Sequence, residues 1–320
     1  MTHLKRILVI GSINMDLVCR TPRIPHAGET ILGDDLITIP GGKGANQAVA
    51  AAKLAGPKVE VHLVGRVGDD DFSRRLFTSL TYHGVRTEHV TVTEGISSGC
   101  AMILVDKKGE NSIVVAPGAN AKLSPADIDR AESLIAGASA VVMQLEVPLE
   151  AVSHAIDLCR RHGVSTILDP APVPPRRLSR EWLAVDVLTP NQGEAEMLLG
   201  LSRTHRVKKK RLVGPKVIGI ELISLGPRNV VLKMGAKGAM VVGPDGDIAR
   251  IKAHKVRVVD TTAAGDAFTG ALAVAHAEGL PLREAAIFAN AAGAACCMGF
   301  GAQPALPTRA AVMALLRSRK

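Results

Sequence analysis

Asp266 stands in the stretch DTTAAGDAFTGAL, behind a run of small residues and at the head of an apolar helical pattern. A carboxylate there can cap the helix, or it can face a ligand held above the helix end. Caps precede the first turn, and Thr261 or Thr262 already offers that service. Gly265 and its small neighbours leave first-turn N–H groups open to an anion. Asp266 would repel that anion unless its carboxylate accepts a proton from a group reacting with it. The combination suggests phosphoryl transfer to a hydroxyl.

Three more constellations could carry chemistry. GSINMD follows the apolar run ILVI (residues 7–10). In an extended chain Asn14 and Asp16 face the same side, an amide and a carboxylate that together suit vicinal hydroxyls. A polar turn after a strand would read the same way. PGGKGANQAVAAAKLAG (residues 40–56) is a glycine-rich turn opening a helix. It is not a P-loop, which needs G-x-x-x-x-G-K-[ST]. Gly44 follows Lys43, and Ile37 occupies the place of that motif's first glycine. The free N–H groups around Gly42, with Lys43 and Asn46, can still approach a ligand closely. TPNQGEAEML (residues 189–198) ends a strand and starts a helix with acids that its dipole favours. Such carboxylates need no function, but open α/β sheets bind ligands at the carboxyl ends of their strands.

The elements that must position these residues alternate. Strand-like runs begin at Ile7, Val59, Ala140, Ser165, Val185, Asn229 and Ala239. Helical patterns lie between them in ANQAVAAAKLAG, DDFSRRLFTSLTYHG, LEAVSHAIDLCRRHG and GEAEMLLG, each ending in glycine or close to one. This order predicts βαβ units and a mainly parallel sheet covered on both faces. After KVRVV (residues 255–259), which reads as a further strand, the residues Ala267, Phe268, Ala271, Leu272 and Ala275 share one helical face. Two stretches break the rhythm, residues 14–40 and 97–117. The second reads as a hairpin, ILVD and SIVVA about a KKGEN turn, and the two together predict a small inserted β-sheet placed as a lid. Residues 201–219 are dense in cations and broken by Gly214-Pro215, where an amphipathic helix should return.

With 320 residues the chain can bury a full core as one large domain. No apolar run approaches the about 18 residues of a membrane span. The N-terminus lacks a signal peptide's long apolar region, so a cytoplasmic protein without membrane partners is expected. Five cysteines without CxxC spacing fit reduced thiols. A formal charge of +9 suits an anionic ligand, but one Trp, one Tyr and five Phe, none interleaved with the basic run, leave base stacking unsupported. A nucleic-acid partner is not expected.

In this order, GSINMD, HAGETILG, IPGGKGANQAVAA, MQLEVPLE, LDPAP, TPNQGEAE, DTTAAGDAFTGAL and GAQPALP resemble the sugar kinases of the ribokinase (PfkB) family, across residues 8–307. The resemblance implies a three-layer αβα sandwich with a β-sheet lid that forms a homodimer clasp. It implies ATP, Mg2+ and K+ as cofactors, and D-ribose phosphorylated at O5, with deoxyribose, fructose or a nucleoside as alternative acceptors. By the same likeness Asn14, Asp16, Gly42, Lys43, Asn46 and Glu146 would hold the sugar. Asp266 would be the base, with the amides of Ala263, Ala264 and Gly265 as the anion hole. Asn191 and Glu194 would lie near the ATP phosphates and magnesium, with Lys233, Gly235 and Gly238 also at the nucleotide and Asn290 near the adenine. Asp260, Thr262, Cys296, Gly299 and Gly301 would hold potassium. The chain departs from the family at Ala305, where relatives commonly offer a serine oxygen to the cation. It departs again at Lys233, in KMGAKG where TLGSRG is frequent.

Overall fold

The computed structural model describes residues 4–201 and 214–318. The chain opens with β1 (Lys5–Ile10), β2 (Asn14–Arg20), β3 (Leu36–Gly41), α1 (Lys43–Leu54), β4 (Val59–Gly68) and α2 (Asp71–Tyr82). It continues through β5 (Val85–Thr93), β6 (Gly99–Val105), β7 (Asn111–Ala116), α3 (Pro125–Arg130), α4 (Glu132–Ala136) and β8 (Ala140–Gln144). Next come α5 (Leu149–His162), β9 (Thr166–Asp169), α6 (Arg180–Leu183), β10 (Val187–Leu188), α7 (Gln192–Leu198) and α8 (Pro215–Ser224). The last part holds β11 (Asn229–Lys233), β12 (Ala239–Val242), β13 (Ile248–Ile251), α9 (Ala264–Ala277), α10 (Leu282–Cys296) and α11 (Arg309–Arg317).

Nine strands form one sheet in the order β13-β12-β11-β10-β9-β8-β1-β4-β5. The strands from β11 to β5 pair in parallel; β12 and β13 add an antiparallel edge. Alternation along β1 shows why two cores exist. Ile7 and Val9 pack with α1, α2, α9, α10 and α11, while Leu8 and Ile10 pack with the helices α3 to α8 on the other face. All four side chains are fully buried, as expected where helices cover both faces of a parallel sheet. The expected three layers are present.

The four strands β3-β2-β6-β7 form a second, smaller sheet. The expected hairpin is β6 and β7, paired from Cys100↔Ala116 to Val105↔Asn111. The parallel pairing of β2 with β6, from Asn14↔Gly99 onward, joins the two breaks in the βα rhythm into one sheet. Two strands went unread in the sequence. The edge strand β5, VRTEHVTVT, carries four consecutive polar residues, and β13 has four residues; conversely, the strand expected at KVRVV (residues 255–259) does not form.

The cationic stretch falls largely outside the described residues, at positions 202–213. Its end differs from expectation. Gly214-Pro215 does not break a helix but starts one, α8, with Gly214 as N-cap and Pro215 in the first turn. Proline at N1 forfeits an N–H that would have no partner in any case. Among the described residues no helix is long and apolar enough to cross a membrane.

Candidate active site

The side chains that could do chemistry gather at the carboxyl ends of the central strands, where α1 and α9 begin. Asp266 is in the first turn of α9 and is buried. It does not cap. The N-cap is Ala263, in the left-handed region at φ 57°, and neither Thr261 nor Thr262 takes that role; Thr262 is engaged with Asp260. Ala263 carries the one positive φ outside glycine among the described residues, a conformation that costs an L-residue about 1–2 kcal/mol. Asp266 instead turns to α1. Asn46 Nδ2 donates to its Oδ2 at 3.1 Å and Gln47 Nε2 to its Oδ1 at 3.0 Å. Burial pushes its carboxyl up to about 6; Lys43, Gln47 and Asn46 oppose the rise and Asp169 adds to it. The anion hole expected from the sequence has its three residues at the start of α9, with the Ala264 N–H donating to the Thr261 carbonyl at 3.2 Å.

Asn14 and Asp16 lie on one face of β2, both buried. Asn120 fixes the amide of Asn14. Its Nδ2 donates to Asn14 Oδ1 at 2.7 Å and to the Ile13 carbonyl at 3.1 Å, and its Oδ1 accepts from Ile13 N–H at 2.9 Å. Asn14 is thereby left to present Nδ2, which reaches Glu146 Oε2 at 3.5 Å. Glu146 Oε2 also accepts from Ser12 Oγ at 2.5 Å and from Lys43 N–H at 3.2 Å. The glycine turn makes this crowding feasible: a Cβ on Gly41 would stand 2.3 Å from Asp16 Oδ2. Gly42, at φ 89°, is the N-cap of α1. Burial, and then Glu146 and Asp266, push the Asp16 carboxyl up to about 7 against the pull of Lys43. Burial works against the Lys43 ammonium, but Asp266, Glu146, Asp169 and Glu194 outweigh it and raise it above the usual lysine value. Among the described residues, Asn46 Oδ1 and Gln144 Oε1 are buried acceptors with no hydrogen-bond partner. Such atoms cost free energy unless a ligand or water satisfies them.

The expected nucleotide residues lie further along the same edge. Asn191 is the N-cap of α7 and forms a capping box with Glu194: Oδ1 accepts from Glu194 N–H at 2.9 Å, and Glu194 Oε2 accepts from Asn191 N–H at 2.7 Å. The helix end therefore accounts for part of both side chains. Burial and Asp169 raise the Glu194 carboxyl above its usual range while Lys233, Asn191 and Lys43 draw it down. Lys233 closes β11 and is paired with Asp169. Gly235 opens the short 3-10 turn after it and Gly238 follows that turn as its C-cap, packed against the Ile251 carbonyl of β13. Asn290 lies on α10 and donates to the Lys252 carbonyl at 3.1 Å.

The expected cation residues also converge. Asp260 Oδ1 accepts from Thr262 N–H and Oγ, at 2.9 and 2.7 Å, and Oδ2 accepts from Gly301 N–H at 2.9 Å. Despite partial burial, these bonds hold the Asp260 carboxyl below its usual range. Cys296 Sγ lies 3.5 Å from the Thr262 carbonyl, and Gly299 packs against Ala305. An ionised carboxylate and the Thr262 carbonyl offer hard oxygens, which suit an alkali cation better than a transition metal.

Four members of the site were not singled out in the sequence: Gln47, Asn120, Gln144 and Asp169. Gln47 Nε2 bridges Asp266 and Asp169, and its Oε1 accepts from Gln144 Nε2 at 2.6 Å. Gln47 and Asp169 sit inside quoted motifs, GGKGANQ and LDPAP, so position alone marked them.

Residues 4–309 match the family described as pfkB family carbohydrate kinase. A ribokinase of Schizosaccharomyces pombe is 39% identical over 307 residues, covering 94% of this chain and 95% of that protein. A deoxyribokinase of Salmonella typhi is also 39% identical, over 83% of this chain and 84% of its own length. A structure of Arabidopsis thaliana ribokinase complexed with ribose and ATP superposes with a TM-score of 0.86 at 32% identity, covering 98% of this chain and 99% of that one. The chain belongs to the pfkB family of carbohydrate kinases. It is an ATP-dependent sugar kinase of the ribokinase type.

Proposed function

We propose that this kinase transfers the γ-phosphoryl group of ATP to O5 of D-ribose, with Asp266 as general base. The observation that carries the reading is the engagement of Asp266: a buried first-turn carboxylate that leaves its helix uncapped and is aimed by Asn46 and Gln47 of a second helix. Asn14, Asp16, Gly42, Lys43, Asn46 and Glu146 hold the sugar, and the unpartnered Asn46 Oδ1 accepts a hydrogen bond from one of its hydroxyls. Asp266 takes the proton of the 5-hydroxyl as that oxygen bonds to the γ-phosphorus and the bond to the leaving ADP oxygen breaks. The amides of Ala263, Ala264 and Gly265, at the N-cap and in the first turn of α9, stabilise the charge on the transferred group. Asn191, Glu194, Lys233, Gly235, Gly238 and Asn290 line the nucleotide side.

Asn191 and Glu194 would lie near magnesium and the ATP phosphates, where the metal would neutralise charge on the polyphosphate, and Asp260, Thr262, Cys296, Gly299, Gly301 and Ala305 would hold potassium, which would set the potential beside the anion hole. Ala305 supplies no side-chain oxygen, so potassium binds more weakly than where a serine stands. Replacing potassium by choline lowers turnover; unchanged turnover removes the cation site. The whole chain acts as one domain in the cytoplasm, with the small sheet as lid and homodimer clasp. The test of the substrate is ADP release with ribose, deoxyribose, fructose and adenosine. Selective turnover of ribose supports the assignment. Preference for deoxyribose, the activity named for a relative as similar as the ribokinase, keeps Asp266 and moves the acceptor.

A further inference from the structure

Lys233 and Asp169 end β11 and β9, two strands apart with β10 between them. Their side chains meet across that gap. Lys233 Nζ donates to Asp169 Oδ1 at 2.9 Å, and the side chains are only 12% and 3% exposed. A buried ion pair is a weak source of stability, because desolvation of both charges offsets their attraction. Its location supplies a better reason for it. Lys233 Nζ lies 3.5 Å from the point where a Cβ on Gly265 would stand, against the first turn of α9. That is the positive end of a helix dipole, poor for a bare cation and good for one that is to meet an anion. The second oxygen of Asp169 accepts from Gln47 Nε2 at 3.0 Å and from Thr269 Oγ at 3.3 Å. One carboxylate thus touches the lysine, α1 and α9.

We propose that Asp169 is a positioning residue for Lys233: it holds one N–H of the ammonium and leaves the other two for a polyphosphate lying over the start of α9. The inference rests on the phosphate site proposed above. A lysine ammonium carries three donors on a flexible stem, so unheld it spreads over many rotamers. Anchored, it meets the phosphates already placed, which is where positioning lowers the cost of binding and reaction. Asp169 is itself fixed by Gln47, whose amide also orients Asp266. The phosphate-binding cation and the base are therefore set in place through one hydrogen-bond chain.

The test is a double-mutant cycle of Asp169→Asn and Lys233→Met, reading kcat, KM for ATP and KM for the sugar, with thermal melts alongside. Lys233→Met should raise KM for ATP about tenfold, the size of one charge-assisted hydrogen bond. Asp169→Asn should raise it comparably, the double variant no further than Lys233→Met alone, and KM for the sugar should stay unchanged. Effects that multiply in the double variant, or a lowered Tm with KM for ATP unaltered in Asp169→Asn, would overturn the positioning role. An unchanged KM for ATP in Lys233→Met would remove the lysine from the phosphate site and the inference with it. Should Asp169→Asn melt below assay temperature, Asp169→Glu in the two lysine backgrounds takes its place. Its displaced carboxylate must raise KM for ATP only where Lys233 is present, and a rise in both backgrounds overturns the role.

Discussion

Asp266 is charged or neutral according to how its surroundings balance. Burial and Asp169 disfavour the anion, Lys43 and the side-chain amides of Gln47 and Asn46 favour it, and the net effect pushes the carboxyl up to about 6. A base must be ionised before it accepts a proton, so kcat should rise with pH through that value and level off above it. A pH–rate profile of the wild type checks this; a flat profile between pH 5 and 7 would detach the rate from Asp266. Asp266→Asn should lower kcat by about 10²–10⁴-fold while sugar binding, read by calorimetry, persists. Asp16 carries the complementary prediction. Its carboxyl is raised to about 7 by burial and by Glu146 and Asp266, so between its unfolded value of 3.8 and about 7 the folded chain holds a proton that the unfolded chain has lost. Stability from this group is therefore lost as pH rises across that window. Asp16→Asn, which cannot ionise, should raise Tm at pH 8, gain little near pH 4, and bind sugar poorly at both. A Tm lowered at pH 8 would show that the ionised carboxylate is stabilising. The sequence exposed Asp16 and Asp266 because each stands in a short motif with its own local logic. It did not expose Asn120 or Asp169, whose partners lie 107 and 122 residues away. Only folding brings them together.

At the scale of elements the site depends on how two helices cross. Asn46 and Gln47 on α1 can reach Asp266 on α9 only while the backbones stay close, and Gly270 is where they touch. A Cβ there would stand 2.7 Å from the Gln47 carbonyl and 2.8 Å from the Ala50 Cβ. Gly270→Val should therefore push α9 away from α1, destabilise the chain by about 1–3 kcal/mol as overpacking does, and lower kcat by misplacing the base. Denaturant unfolding and steady-state kinetics read the two effects; loss of stability with kcat intact would uncouple the crossing from the chemistry. The small residues of α9 were legible as one apolar face, but the helix is buried from Asp266 to Ala275 on every side, between the sheet, α1 and α10. Periodicity marks a face only when another face is wet. A different limit hid β5, an edge strand in which four consecutive polar residues, Arg86 to His89, interrupt any apolar pattern. In contrast the strands buried on both sides, with little but apolar residues, announced themselves. Ala263 was invisible for another reason: alanine is no signal of a positive φ, and the surrounding structure imposes it.

The small sheet poses a problem that only the whole molecule can answer. Paired residues of adjacent strands share a face, so Leu17, Thr38, Met102 and Val114 lie on one side and Asp16, Ile39, Ala101 and Val115 on the other. On the first side Met102 and Val114 are 48% and 60% exposed, and Leu36 in the next row is 63% exposed. On the second, Ile37, Ile113 and Val115 are also exposed, although Asp16, Ile39 and Ala101 beside them are buried. A sheet with apolar residues in water on both faces needs two covers. On the sugar site proposed above, bound sugar and a closing sheet would cover the face that holds Asp16. The opposite face needs a partner of like chemistry, and a second copy of the same sheet, as in the homodimer clasp proposed above, would provide one. Sedimentation should then show a dimer for the wild type and a monomer for Met102→Lys with Val114→Lys, since two cations per copy would meet in the interface. The sugar-facing side is untouched by these changes, so the monomer should still bind the acceptor, with a higher KM because its sheet closes without support. A wild type that sediments as a monomer would leave the outer face without its proposed cover.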